Sequence, residues 1–163
     1  MSLEESIKHA YHESVSGERR GDTRDELEEI KSYIRSSNEI RVPNGSGEKL
    51  DAINEVLWQF GLTLAKHLPI HTNSCDVTRM PAITKGFMAL DVSVCDLVIA
   101  RGRLGVPGSG SMLVIMDKKG RILSAALSPA HVLHEKSLVE AVRDEMQAAL
   151  DRIGLVPLFG RRR

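Results

Sequence analysis

The chain has 163 residues, 42% of them apolar and 27% charged, which is the balance of a folded globular protein of ordinary domain size and not of a disordered one. Its 22 basic and 22 acidic residues cancel, so no general attraction to nucleic acid or to an anionic membrane follows. Aromatics at 4% are too few for a base-stacking surface.

Residues 1–37 read as N-terminal helices. Leu3, Ile7, Ala10 and Tyr11 recur at helical steps before a break at Ser16-Gly17. Thr23 with Glu26 has the spacing of a capping box ahead of Leu27, Ile30 and Ile34. Glu39 to Val42 suits a short strand, ended by Pro43. "PNGSGEK" then opens onto a helical pattern through Leu50, Ile53, Leu57, Phe60 and Leu64, with Gly61 as a stop or bend. A weaker helical pattern follows Pro81 through Ile83, Phe87 and Leu90.

The second half reads as sheet and then helix. "LVIA" (97–100) and "MLVIM" (112–116) are continuous apolar runs, as in strands covered on both faces. "DKKGR" turns into a third strand, Ile122 to Leu127. Val139, Val142, Met146, Ala149 and Ile153 mark a last helix stopped by Gly154. Its start is open between Ser128-Pro129 and Ser137 with Glu140. The pattern predicts one α/β domain over 1–163, a central mixed sheet flanked by helices, with Arg161 to Arg163 as a basic tail. Cys75 and Cys95 lack CxxC spacing, and no leader or membrane-length apolar run is present, so reduced thiols and a cytoplasmic location are expected.

Two glycine-rich stretches could hold an anion. In the first, the backbone N–H groups of Asn44, Gly45, Ser46 and Gly47 precede a helix N-terminus, and Lys49 stands within reach of a phosphate. The alternative is an Asn-Gly turn with Ser46 as a helix cap. The second runs from Arg101 to Ser111. Arg101 and Arg103 could grip phosphate oxygens bidentately, beside the backbone of Gly108, Ser109, Gly110 and Ser111. The alternative there is a slack hairpin loop. Neither stretch is a Walker or dinucleotide motif. Asp76, Asp91, Asp96 and Asp117 are acidic candidates for Mg2+, and Asp96 and Asp91 are favoured because Asp96 immediately precedes the 97–100 strand and Asp91 ends a helical stretch, which could set both near the loop. His131 is the best-placed histidine for acid–base work or substrate contact. His67 and His71 are four apart but Pro69 breaks the helix that would align them, and the pairs His9/His12 and His131/His134 lack a third ligand at zinc spacing.

Taken together, "VPNGSGEKLDAINEVLWQFG", "DLVIARGRLGVPGSGSMLVIMDKKGRI" and "LSPAHVLHEKSLVEAV" resemble the HcgB family of methanogenic archaea. That resemblance implies a guanylyltransferase of [Fe]-hydrogenase cofactor biosynthesis, which transfers GMP from GTP to the hydroxyl of a substituted pyridinol. It implies release of pyrophosphate, Mg2+ as helper, a homodimer and a fold similar to that of inosine triphosphate pyrophosphatases. "PNGSGEKLDAINEVL" is similar to the pyrophosphatase pattern of a hydroxyl residue, Asn and Lys, but Val42 and Pro43 replace the hydroxyl residue and the Asn44–Lys49 spacing is longer. A nucleoside triphosphate pyrophosphatase and a non-catalytic nucleotide-binding protein are the competing expectations.

Overall fold

The computed structural model describes residues 2–44, 47–129 and 136–160. They fall into two compact units, Met1–Ser36 and Ser37–Arg163. Gly45, Ser46, His131 and the basic tail at 161–163 lie outside the described residues.

The first unit is a pair of capped helices, α1 (Leu3–Ser16) and α2 (Arg24–Ser36). Ser2 and Glu5 exchange hydrogen bonds at the start of α1, and Gly17 closes it in the left-handed conformation that favours glycine. Thr23 and Glu26 form the expected box, at 2.7 and 3.2 Å. Arg19 Nη1 stands 2.6 Å from Glu26, and this guanidinium draws the Glu26 carboxyl down to about 2.

The second unit is built on a five-stranded mixed sheet in the order β2-β1-β3-β4-β5. The strands are β1 (Ile40–Pro43), β2 (Lys66–Leu68), β3 (Leu97–Arg103), β4 (Ser111–Asp117) and β5 (Ile122–Ser128). β1 runs parallel to β2 and β3, whereas β3, β4 and β5 form an antiparallel meander. Helix α3 (Glu48–Gln59) joins β1 to β2, α4 (Pro81–Val92) leads into β3, and α5 (Leu138–Arg152) follows β5.

The sheet is covered on both faces, which is why β3 and β4 read as unbroken apolar runs. Val98, Ala100, Val114 and Met116 pack with Ala82 and Ala89 of α4. On the opposite face Ser124 Oγ donates to the Ala149 carbonyl of α5 at 2.6 Å, and Arg143 of α5 meets Glu55 of α3 at 2.7 Å. Helices α3 and α5 thus share one side and α4 holds the other.

Several expected boundaries shift. Pro43 is the last residue of β1, in register with Leu68 of β2, beyond the point where β1 pairs with β3 at Arg41 and Val98. Helix α3 stops at Gln59, and Gly61 at φ +69° turns the chain so that Leu64 lies outside it. The expected connection from Arg101 to Ser111 is shorter than eleven residues, because both of its ends are strand. Arg103 pairs with Ser111, Leu104 N donates to Gly110 O, and only 104–110 is loop. Ser137 caps α5, accepting from Glu140 N at 3.2 Å, so Ser128 stays at the end of β5.

Candidate functional site

Strand order decides where a site can form. From β1 the chain goes to β2 on one side, while β3 continues to β4 on the other. Carboxyl ends of strands at such a reversal diverge and leave a crevice. The carboxyl end of β3 meets the start of α4 closely because Gly102 has no side chain: a Cβ there would lie 2.7 Å from Ala82 N. A cavity of about 380 Å³ opens at this edge. Lys49, Asp76, Lys85, Arg101, Arg103 and Ser111 provide its polar wall, and Leu138 and Ala141 of the first turns of α5 border it.

Arg101 is fixed from below. Its Nε donates to Glu145 Oε1 at 2.8 Å and its Nη2 to Glu145 Oε2 at 3.1 Å. Nη2 also reaches Ser111 Oγ at 2.7 Å. Glu145 is almost wholly buried on α5 and accepts from Ser111 Oγ at 2.7 Å and from Ser128 Oγ. The β4–β5 register sets Ser111 opposite Ser128, so sheet pairing itself assembles this ring of donors. The Nε–Nη2 edge of Arg101, which the sequence offered to a ligand, is thus engaged by Glu145 and Ser111 in this structure.

Lys85 comes from α4 and is buried. Its Nζ donates to the Arg101 carbonyl at 3.2 Å and stands 3.8 Å from Asp76 Oδ1. Lys49 comes from the first turn of α3 and is half-buried. Burial lowers its pKa, and the nearby charges of Lys85 and Arg101 lower it further. Arg103 Nη1 donates to Gly105 O at 3.0 Å and Nη2 to Asp76 O, tying the hairpin loop to the 3-10 turn Asn73–Val77. Arg103 thereby acts on backbone carbonyls as well as on the cavity. Gly110, at φ +128°, lets the hairpin approach β5: a Cβ would overlap the Ser128 carbonyl and lie 2.9 Å from Pro129 Cα.

Of the residues expected from sequence, the structure gathers Lys49, Arg101, Arg103, Gly108, Gly110 and Ser111 at the cavity. Asn44 is buried beside it in sequence but not in its wall, and its carbonyl takes His67 Nε2 at 2.5 Å. Gly47 is exposed at the N-cap of α3, and Ser109 turns away to donate to Val106 O at 2.6 Å. The two favoured aspartates stand elsewhere. Asp91 is exposed near the carboxyl end of α4, whereas the cavity is at its amino end. Asp96 precedes β3 at the strand's far end and accepts the N–H groups of Asn38 and Glu39, each at 3.0 Å. Asp76 is the carboxylate in the cavity wall among the described residues, and its side chain is about half exposed (52%).

Sequence reading missed Glu145 and Lys85. The signal was present in both. Glu145 shares a helix face with Ala141, Val142 and Ala149, and Lys85 one with Ala82 and Ala89, so each is a charge inside an apolar stripe. Such a charge is tolerated when paired or when held for a ligand.

No group of three His, Cys, Asp or Glu side chains able to hold a metal exists among the described residues. One carboxylate suffices for Mg2+ when substrate phosphates and water complete its shell, and Asp76 meets that requirement. Nor is any helix among the described residues long and apolar enough to cross a membrane.

A cationic cavity of nucleotide size at a strand-reversal crevice is a frame for phosphate chemistry. A family model described as FeGP cofactor biosynthesis protein HcgB, guanylyltransferase, matches residues 3–155, nearly the whole chain. The chain therefore belongs to the HcgB family and is a guanylyltransferase of FeGP cofactor biosynthesis.

Proposed function

We propose that this guanylyltransferase joins GMP from GTP to the hydroxyl of a substituted pyridinol and releases pyrophosphate, giving guanylylpyridinol. One observation carries the reading: Lys49, Lys85 and Arg101 converge on one cavity with more donors and more positive charge than Asp76 and Glu145 absorb. A polyanion of the right size resolves that imbalance.

The pyridinol oxygen attacks the α-phosphorus as the bond to the β-phosphate breaks. Charge moves onto the departing pyrophosphate, where fixed cations lower the barrier most. Lys85 and Arg101, buried at the cavity floor, hold the reacting phosphates. Lys49 at the start of α3 holds the outer ones, and the backbone of Gly108 and Gly110 lines their path. Asp76 would hold Mg2+ together with phosphate oxygens and water, and the ion would supply further neutralisation of charge. A phenol-like hydroxyl ionises readily, so no strong base is required of the protein. The same reading has the chain act as a single guanylyltransferase domain in a cytoplasmic homodimer.

Incubating the protein with GTP and Mg2+, with and without a pyridinol, tests this. Pyrophosphate release should depend on the acceptor, and Lys85→Met should lower it by about a hundredfold. Rapid GMP formation without acceptor would make the protein a pyrophosphatase instead. GTP binding with no pyrophosphate from any pyridinol would leave a nucleotide-binding role.

A further inference from the structure

Glu145 has no direct place in that scheme, yet its setting is elaborate. It is 2% exposed, between α5 and the sheet, where a carboxylate is costly unless donors surround it. Among the described residues its donors are Arg101, Ser111 and Ser128, all at the cavity end of their strands. Arg101 is only 12% exposed along its side chain, and Nε and Nη2 are engaged by Glu145 and Ser111. Nη1 is the end left without a partner among the described residues, and Arg101 borders the cavity. A guanidinium clamped along its Nε–Nη2 edge cannot swing about its last torsion, so Nη1 is a donor of fixed position. Lys85 Nζ bonds the carbonyl of the same residue, which pins the backbone beneath it.

We infer that Glu145 is a positioning residue for phosphate recognition: it holds the Nε–Nη2 edge of Arg101, with Ser111 and Ser128 completing the ring, so that Nη1 meets a phosphate oxygen. The inference rests on the guanylyl-transfer reading for the identity of that phosphate. A mere staple between α5 and β3 would affect stability alone. A positioning residue also affects turnover, and it creates a socket that can hold a free guanidinium ion.

The test uses four full-length proteins: wild type, R101A, E145Q and R101A/E145Q. Each is assayed for guanylyl transfer and for binding of inorganic pyrophosphate, with and without guanidinium chloride well below denaturing concentration. R101A should lose about a hundredfold in kcat, and guanidinium should restore about tenfold of it saturably. R101A/E145Q should gain nothing, because the carboxylate that seats the ion is gone. This double variant removes both buried charges together and is the one expected to keep its fold, which a thermal melt checks. E145Q should lower kcat about tenfold while KM for GTP stays within about threefold. Equal rescue in both backgrounds, or a folded E145Q with unchanged kcat, overturns the inference. If E145Q does not fold, the rescue comparison alone decides. Should wild type transfer nothing to any pyridinol, the transfer reading fails, and pyrophosphate affinity across the same four proteins still decides the role of Glu145. A wild type that neither transfers nor binds pyrophosphate overturns both.

Discussion

The two ends of β3 carry charge in opposite ways. At the amino end, Asp96 receives two backbone N–H groups at 3.0 Å, and its own N–H goes to Glu39 O at 2.8 Å. At the carboxyl end, Lys49, Lys85 and Arg101 crowd one cavity and repel one another. Matched charge holds the chain in place. Positive charge in excess of what Glu145 and Asp76 match destabilises the empty fold and is kept for a ligand, as expected where function and stability compete. The same contrast runs through the backbone, since among the described residues the glycines where a Cβ would come within 3 Å of another segment's backbone, Gly102, Gly105 and Gly110, lie at the carboxyl end.

Gly110→Ala should break that end most severely. The residue is at φ +128°, and the atoms a Cβ would strike belong to the Ser128 and Pro129 backbone, which cannot rotate away. Strain and overlap together should cost about 3 kcal/mol or more and abolish transfer, read from denaturant midpoints and GTP turnover. Gly108→Ala sharpens the comparison. Its φ is +79° with nothing within 4 Å of a Cβ, so it should cost only about 1–2 kcal/mol. Equal losses from the two would mean that loop conformation, and not the close approach to β5, is what matters.

How much of this was legible in the sequence follows from how local each feature is. The six longer strands and helices of the second unit announced themselves by apolar period and by punctuation such as Ser137 and Gly154. β2 did not, because Lys66-His67-Leu68 is short and lies at the sheet edge with Lys66 exposed, so no buried pattern marks it. Arg101 and Arg103 were found as a pair but assigned to a loop, since glycine at 102 looks like punctuation when it is a packing contact with Pro81 and Ala82 inside a strand. The metal candidates went astray for a topological reason. Asp96 is close in sequence to Arg101, but a strand places its ends about 3.3 Å apart per residue, and the site is at the other end. Glu145 reaches Arg101 across 44 positions in the chain, and only the pairing of β3, β4 and β5 beneath α5 brings them together.

Lys49→Gln should move stability and binding in opposite directions. The folded pKa of Lys49 lies below the ordinary lysine value of 10.5, chiefly through burial. Its charged form is therefore penalised in the empty fold. That penalty is complete below the folded pKa and vanishes as pH rises towards the unfolded value. At neutral pH the variant should melt slightly above wild type without ligand. With GTP it should melt below, having lost about tenfold in affinity, or roughly 1.4 kcal/mol of binding free energy. Raising the pH should close both differences. A variant that melts lower in both states would place Lys49 among the structural charges and blur the distinction between the ends.

The amino end supplies the smallest effect and the converse control. Glu39 N–H, and then Asn38 N–H, hold the Asp96 carboxyl below its usual value of 3.8. A depressed carboxyl pKa contributes stability that is present above the unfolded pKa and is lost as pH falls through the folded one. Asp96→Asn keeps an acceptor oxygen but loses its charge, so it should cost about 1 kcal/mol at neutral pH. The melting curves of variant and wild type should draw together as pH falls below 3.8, where the carboxyl protonates first in the unfolded chain and at lower pH in the folded one. Guanylyl transfer, measured where both proteins are folded, should be the same in the two, because the strand separates Asp96 from the cavity. Loss of transfer without loss of stability would put Asp96 in service of the site and would erase the contrast between the ends of β3.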